Sequence, residues 1–362
     1  MKTAHRPRRL LVTGGAGFIG ANFVLQAFAA RPDWHIVILD KLTYAADPTN
    51  LADISARRHR FVHGDICDFE LVKVLILSEK IDTVVHFAAE SHVDRSIASP
   101  DEFIRTNVLG THVLLEACRA AWGFANGTGR GGVRFHHIST DEVFGTLAEG
   151  DPPFCETTGY APNSPYSASK AAADHLVRAY ARTYGLPAIV TNCSNNYGPR
   201  QHPEKFIPTV IRTALAGQPI PVYGSGLNRR DWLFVDDHCA ALIAALECAV
   251  DGARYCIGGG DEIANIELAR RICAILDQRR PCAVSYKHLI AYVPDRPGHD
   301  FRYAIDSTKI RQELAWIPQT NVDDGLRRTI DWYLERSRTA VPVSEPYHRP
   351  PGPAAVAHSL PA

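Results

Sequence analysis

The run Gly14-Gly15-Ala16-Gly17-Phe18-Ile19-Gly20 constrains this chain more than any other stretch. It follows Arg9 to Thr13, which reads as a buried strand, and opens a segment whose Asn22, Leu25 and Phe28 continue as a helix. The spacing satisfies both G-x-x-G-x-x-G and G-x-G-x-x-G. Without Cβ atoms the turn lets a pyrophosphate approach the backbone, and the helix N-terminus meets its charge. A second strand, Ile36 to Leu39, ends in Asp40, 20 residues past Gly20. A carboxylate there hydrogen-bonds ribose hydroxyls and repels a 2′-phosphate, so NAD is expected in preference to NADP. The fold class predicted is α/β, a Rossmann-type doubly wound parallel sheet with a smaller α/β substrate-binding lobe.

Further strands follow in the same rhythm. Phe61 to Ile66 is the third, with Asp65 placed at the adenine edge of a dinucleotide or in an ordinary strand-end turn, and Ile81 to Phe87 is the fourth. After it, the small Ala88 and Ala89 allow a cofactor to pass close by, and the polar run Glu90 to Ser96 forms a loop at the same strand-end face. Asn107 to Thr111 begins or lies in a helix that continues through Val113, Leu114 and Ala117. Gly123 to Gly132 is a surface loop in which no chemistry is legible.

The chemistry gathers behind a fifth strand. Val133, Phe135 and Ile138 lead into Ser139-Thr140-Asp141-Glu142, and the polar cluster stops at Gly145. A hydroxyl followed by two adjacent carboxylic acids finishes a strand poorly for stability, because each needs its own partner. It is well suited to placing an acid and a base on two sides of a small substrate. Ser164 then caps a helix with Pro165 at its first position, and Tyr166 and Lys170 fall four residues apart on one face. A nearby ammonium lowers a phenol's pKa, which makes Tyr166 a candidate base. Gly185 and Pro187 stop that helix after Tyr184.

Composition excludes several classes. Lys+Arg and Asp+Glu are 39 each, so no general field draws nucleic acid or an anionic membrane, and neither is expected as a partner. The longest apolar run, Ala240 to Leu246, is far short of the roughly 20 residues that span a bilayer. Nine cysteines with no C-x-x-C pair fit reduced thiols in the cytoplasm, and no metal site is expected. From Thr339 onward the Pro- and Ala-rich tail has too little periodic apolar content to fold.

Taken in order, the segments GGAGFIG, DKLTYA, HFAAESHVDRSI, TNVLGT, STDEVFG, YSASK, NCSNNYGPRQHPEKFIP, PVYGSGLNRRDWLFVDDHCA and RPGHDFRYAID, spread over residues 8 to 335, resemble the extended short-chain dehydrogenase/reductase superfamily. Within it they look most like the dTDP-glucose 4,6-dehydratase family, and Thr140-Asp141-Glu142 separates them from epimerases and decarboxylases of the superfamily.

The resemblance implies that Thr140, Asp141, Glu142, Tyr166 and Lys170 are catalytic. It implies NAD held by Gly14, Gly17, Phe18, Ile19, Gly20, Asp40, Lys41, Thr43, Asp65, Ile66, Ala88, Ala89, Tyr166 and Lys170. It further implies a nucleoside-diphosphate glucose, dTDP-glucose first, held by Ser91, His92, Thr140, Asn196, Glu204, Lys205, Tyr223, Arg230, Asn265, Arg296 and His299. The product is then a 4-keto-6-deoxy sugar nucleotide, made by C4 oxidation, C5/C6 water elimination and hydride return to C6. The alternatives are a 4-epimerase using the same transient oxidation, and a non-catalytic Rossmann binding protein. A homodimer through the superfamily's usual helix pair is expected.

The lobes are expected at 1–197 with 231–257 for NAD and at 198–230 with 258–338 for the sugar nucleotide, leaving 339–362 as the tail. Phe144 stands where the family usually has Tyr, Ser225 where Asp is common, and Ala46-Asp47-Pro48 replaces a glycine-asparagine turn.

Overall fold

The computed structural model describes residues 5–339 apart from Asp53, 55–57 and Arg296. In chain order the strands are β1 (Arg9–Thr13), β2 (His35–Asp40), β3 (His59–His63), β4 (Thr83–His86), β5 (Arg134–Thr140), β6 (Ala188–Cys193), β7 (Asn195–Tyr197), β8 (Ile220–Tyr223), β9 (Arg229–Phe234), β10 (Arg254–Ile257), β11 (Glu262–Ala264) and β12 (Ile290–Val293). The helices are α1 (Phe18–Ala30), α2 (Phe69–Ser78), α3 (Val93–Ala98), α4 (Pro100–Phe103), α5 (Thr111–Ala121), α6 (Pro165–Tyr184), α7 (Phe206–Leu215), α8 (Val235–Cys248), α9 (Asn265–Arg279), α10 (Thr308–Leu314) and α11 (Val322–Thr339).

Seven strands form one parallel sheet in the order β10-β6-β5-β4-β1-β2-β3. Alternation along each strand divides its apolar side chains between two faces. Leu10, Val12, Ile36 and Ile38 join Phe23, Val24 and Ala27 of α1 and Leu242 and Leu246 of α8. Leu11, Val37 and Leu39 join Val72 and Ile76 of α2, Leu114 and Leu115 of α5 and Val177 and Tyr180 of α6. This is the doubly wound arrangement that the sequence predicts.

Local signals in the sequence account for the element ends. Ser164 Oγ accepts the Ser167 N–H at 3.1 Å while Ser167 Oγ accepts the Ser164 N–H at 3.0 Å, with Pro165 first in the helix and Gly185 closing it at φ +68°. β3 stops at His63, before Gly64 and Asp65, and β4 spans only Thr83–His86 within the longer predicted run. The segment before α5 is a π-helical turn, Ile104–Gly110. There Asn107 turns inward to accept the Glu90 N–H at 2.9 Å and to donate to Ser169 Oγ at 2.8 Å.

A second core gathers α7, α9 and α11 around β7, β8 and β9, with Ile207, Ile211, Ile272, Leu276, Leu326 and Ile330 buried together. β9 pairs with β7 in parallel and with β11 antiparallel, so it bridges this core and the polar segment that follows β6. No helix of the described residues is long and apolar enough to cross a membrane. The tail from residue 340 lies outside the described residues, and Thr339 ends α11.

Candidate active site

A cleft with a cavity of about 290 Å³ opens above the C-terminal ends of β1, β2, β4, β5 and β6. Its floor begins at the glycine turn. Gly14 takes φ +70°, and a Cβ there would lie 2.6 Å from the Ala88 nitrogen. A Cβ at Gly20 would lie 2.3 Å from Gly14 O, so only glycine lets α1 start this close to the turn. Gly17 precedes α1 in extended conformation without a side-chain cap, which leaves the first helical N–H groups facing the cavity. Asp40 is buried at the end of β2, where Oδ2 accepts the Ala16 N–H at 2.9 Å and Oδ1 accepts the Leu42 N–H at 2.8 Å. Each oxygen keeps a lone pair for a hydroxyl.

Phe18, Ile19, Lys41, Thr43, Asp65, Ile66, Ala88 and Ala89 line the same cavity, and Lys41 pairs with Asp65 at 2.9 Å. This cradle of missing Cβ atoms, helix N-terminus and ribose-level carboxylate fits the dinucleotide expected from the sequence.

The acid pair sits on a turn rather than on the strand itself. β5 ends at Thr140, and Asp141 to Phe144 form a single 3₁₀ turn. The cause is Thr140, whose Oγ1 accepts the Glu142 N–H at 3.2 Å and caps the turn. Both carboxyl groups therefore line the cavity, although alternation along a strand would have sent them to opposite faces. Asp141 is buried, with Oδ1 receiving the Thr140 hydroxyl at 3.2 Å and Oδ2 without a hydrogen-bond partner among the described residues. Burial pushes its carboxyl well above the usual range, and the nearby Glu142 and Asp231 charges add to the shift. Burial thus favours the protonated form of Asp141 beside Glu142.

Tyr166 and Lys170 face the same cavity from α6. Contrary to the expectation of an acidified phenol, burial pushes the Tyr166 hydroxyl well up, with the Glu142 charge adding and a hydrogen bond to Thr140 opposing. The ammonium of Lys170 donates to Ile138 O at 2.7 Å, and burial lowers its pKa while the Asp174 charge holds it up.

On the other wall are Ser91, Asn196, Glu204 and Lys205. Lys205 donates to Ser91 O at 2.8 Å, and His92 lies 3.9 Å from Glu204. His238 Nδ1 holds Asn196 Oδ1 at 2.8 Å.

The remaining substrate candidates lie outside this cavity's lining. Arg230 is buried, its guanidinium donating to the Asp300 and Phe301 carbonyls and lying 4.3 Å over the Tyr303 ring. Tyr223 and His299 meet edge to face at 6.2 Å, and His299 Nδ1 is 2.6 Å from Asp295 Oδ1. Asn265 opens α9 and donates its backbone N–H to Asn228 O at 3.0 Å. Arg296 lies outside the described residues.

Sequence reasoning missed Ser194, Asn195 and Gln201. Each lines the cavity and keeps a buried polar oxygen with no hydrogen-bond partner among the described residues. Such atoms are costly unless a ligand or water meets them. The signal is the polar density of Asn192-Cys193-Ser194-Asn195-Asn196, of which the family resemblance picks out only Asn196.

Comparison with known proteins agrees with this geometry. The family model for GDP-mannose 4,6 dehydratase matches residues 11–329. The dTDP-glucose 4,6-dehydratase of Neisseria gonorrhoeae is 54% identical over 333 residues, covering 91% of this chain and 96% of that protein. The dTDP-glucose 4,6-dehydratase of Xanthomonas campestris pv. campestris strain B100 is 56% identical over 327 residues, covering 90% of this chain and 92% of its own. The crystal structure of DesIV, a dTDP-glucose 4,6-dehydratase of Streptomyces venezuelae solved with NAD bound, superposes with a TM-score of 0.83 at 46% identity, covering 91% of this chain and 98% of that one. On the motifs, the cleft and these relatives together, the chain belongs to the dTDP-glucose 4,6-dehydratase family of the extended short-chain dehydrogenase/reductase superfamily.

Proposed function

We propose that the protein is an NAD-dependent hydro-lyase that converts dTDP-glucose to the 4-keto-6-deoxy sugar nucleotide with loss of one water. The observation that carries this reading is the pairing of the buried Asp141 with Glu142 in one cleft with Tyr166 and Lys170. The cradle of Gly14, Gly17, Gly20 and Asp40 would hold NAD, which would supply the acceptor for the C4 hydride and the hydride source for C6.

Each residue then has one task. Tyr166 takes the proton of the C4 hydroxyl as its phenolate, the form that the Lys170 charge on the same helix face favours against the burial that raises its pKa, while the Thr140 hydroxyl holds the sugar near C4. The ketone so formed acidifies C5–H, and Glu142 removes that proton. Asp141, whose protonated form burial favours, gives its proton to the C6 oxygen, and water departs. Return of the hydride to C6 and reprotonation of C5 by Glu142 complete the product, and passage through solvent of the proton gained by Tyr166 back to Asp141 restores every group. Ser91, His92, Asn196, Glu204 and Lys205 hold the sugar and diphosphate, and Tyr223, Arg230, Asn265, Arg296 and His299 hold the nucleoside side. The orphaned oxygens of Ser194, Asn195 and Gln201 support a polar ligand on that wall.

We place the enzyme in the cytoplasm as a homodimer. Nine unbridged cysteines support a reducing compartment, and exposed Ile97, Ile104 and Leu109 near the start of α5 support a partner there. The test is incubation with dTDP-, UDP- and CDP-glucose read by mass spectrometry. Loss of one water from dTDP-glucose is expected; an isomer of unchanged mass would make the enzyme an epimerase.

A further inference from the structure

Behind the cleft runs a row of five buried polar side chains from four neighbouring strands, two of them from β5. Thr13 of β1 pairs in register with His86 of β4, and His86 with His137 of β5, while Ser139 of β5 pairs with Asn192 of β6. His86 joins Thr13 Oγ1 at 2.8 Å and Thr111 Oγ1 at 3.0 Å. The row ends on Asp174 of α6, one helical turn beyond Lys170. Oδ2 of Asp174 accepts from Ser139 Oγ at 2.9 Å, Tyr160 OH at 2.7 Å and Asn192 Nδ2 at 3.0 Å. Its Oδ1 lies 3.1 Å from His137 Nε2.

A carboxylate given this many donors in the protein interior remains an anion. A buried ammonium, conversely, loses its proton unless a negative charge compensates it. Lys170 is 5% exposed and its ammonium donates to a neutral carbonyl, Ile138 O. The groups that face it are Asp174 and Tyr166 on its own helix, His137 of β5, His86 of β4 and Cys193 of β6. Burial depresses both histidines and raises Cys193 and Tyr166, whereas Asp174, held by its donors, is lowered, so Asp174 is the group among these that favours an anion one helical turn from Lys170. Asn192 Nδ2 also donates to Thr140 O at 3.1 Å, so the same carboxylate braces the end of β5 through Ser139 and Asn192.

We infer that Asp174 is a positioning residue for the reaction: a buried counter-anion, fixed by Ser139, Tyr160 and Asn192, that keeps Lys170 an ammonium and holds the strand end bearing Thr140. It acts from behind the site and touches neither sugar nor cofactor. This inference rests on the role proposed for Lys170, and its test separates the two, because charge pairing is read without turnover.

The test uses the full chain labelled with ¹³C at the lysine ε carbons, the Lys170 signal being assigned from K170M. In Asp174→Asn the Lys170 titration midpoint should fall by about one pH unit or more, the usual effect of a close opposite charge. In the enzyme, the alkaline limb of the kcat profile should move to lower pH by the same amount. An unchanged midpoint would overturn the inference, and a pH-independent loss of activity would reduce Asp174 to a packing role. Should Asp174→Asn fail to fold, thermal melting decides. K170M/D174N, which removes both charges, should melt above K170M, in which the Asp174 anion is left uncompensated. A double variant that melts at or below K170M overturns the inference. Normal Lys170 pairing in an enzyme with no dehydratase activity would leave Asp174's role standing while removing the proposed function.

Discussion

Asp40 Oδ2 accepts the Ala16 N–H at 2.9 Å, fastening the end of β2 to the middle of the glycine turn. The other oxygen holds the N–H of Leu42, a non-glycine residue at φ +55°. One carboxylate thus supports both walls of the cofactor cradle and still offers lone pairs to a ribose. Asp40→Ala should leave two N–H groups unmet, at a cost of about 1–3 kcal/mol for each that stays buried. It should also release NAD. We expect purified Asp40→Ala to contain far less NAD than the parent protein and to regain activity on added NAD. Equal NAD content in the two proteins would deny Asp40 its place at the ribose.

Gly20→Ala probes the same cradle through sterics. Its Cβ would meet Gly14 O at 2.3 Å and the Gly15 Cα at 2.9 Å, both backbone atoms that cannot rotate away. The turn must shift, at a cost of about 1–3 kcal/mol for such overpacking. A lowered urea midpoint together with weakened NAD retention is the expected outcome. A variant with unchanged midpoint and normal NAD content would show that the turn has slack.

His238 makes a pH-dependent prediction. Burial lowers its pKa from 6.5 to about 3, so the ring is neutral in the fold and protonates first in the unfolded chain as pH falls. The unfolded state then binds the extra proton, and this contribution to stability, complete above pH 6.5, is lost progressively towards pH 3 at about 1.4 kcal/mol per pH unit. His238→Asn keeps a donor for Asn196 but cannot titrate. The stability advantage of the parent protein over His238→Asn should therefore shrink as urea melts move from pH 7 to pH 5. A difference that stays constant would mean that the ring does not titrate between the two states.

Asp141 and Glu142 should separate by kinetics. Because burial favours the protonated form of Asp141, Asp141→Asn should fold normally yet slow water departure by about 10²–10⁴-fold, while still allowing C5 exchange with solvent deuterium. Glu142→Gln should suppress that exchange. Opposite exchange behaviour in the two variants would swap the acid and base assignments.

What was legible in the sequence was local. The glycine turn, Asp40, the Ser164 cap and the Tyr166–Lys170 spacing depend on neighbours within a few residues, and these appear in the structure where they were read. The acid pair was legible as a pair but not as a turn, because its conformation depends on a single Thr140 hydrogen bond. His86, His137, Asn192 and Asp174 carried no local signal, since their meeting requires the lateral order of β4, β5 and β6 and the facing of α6. Ser194, Asn195 and Gln201 were missed because the polar run after β6 reads as a loop until β7 pairs with β9.

The central claim is that one cleft oxidises C4, expels water across C5 and C6, and returns the same hydride to C6. The most direct measurement uses dTDP-glucose carrying deuterium at C4, with the product analysed by mass spectrometry and NMR. We expect a 4-keto-6-deoxy product lighter by one water, with the label recovered at C6. A product of unchanged mass, or one whose label has stayed at C4 or been lost to solvent, would contradict the claim.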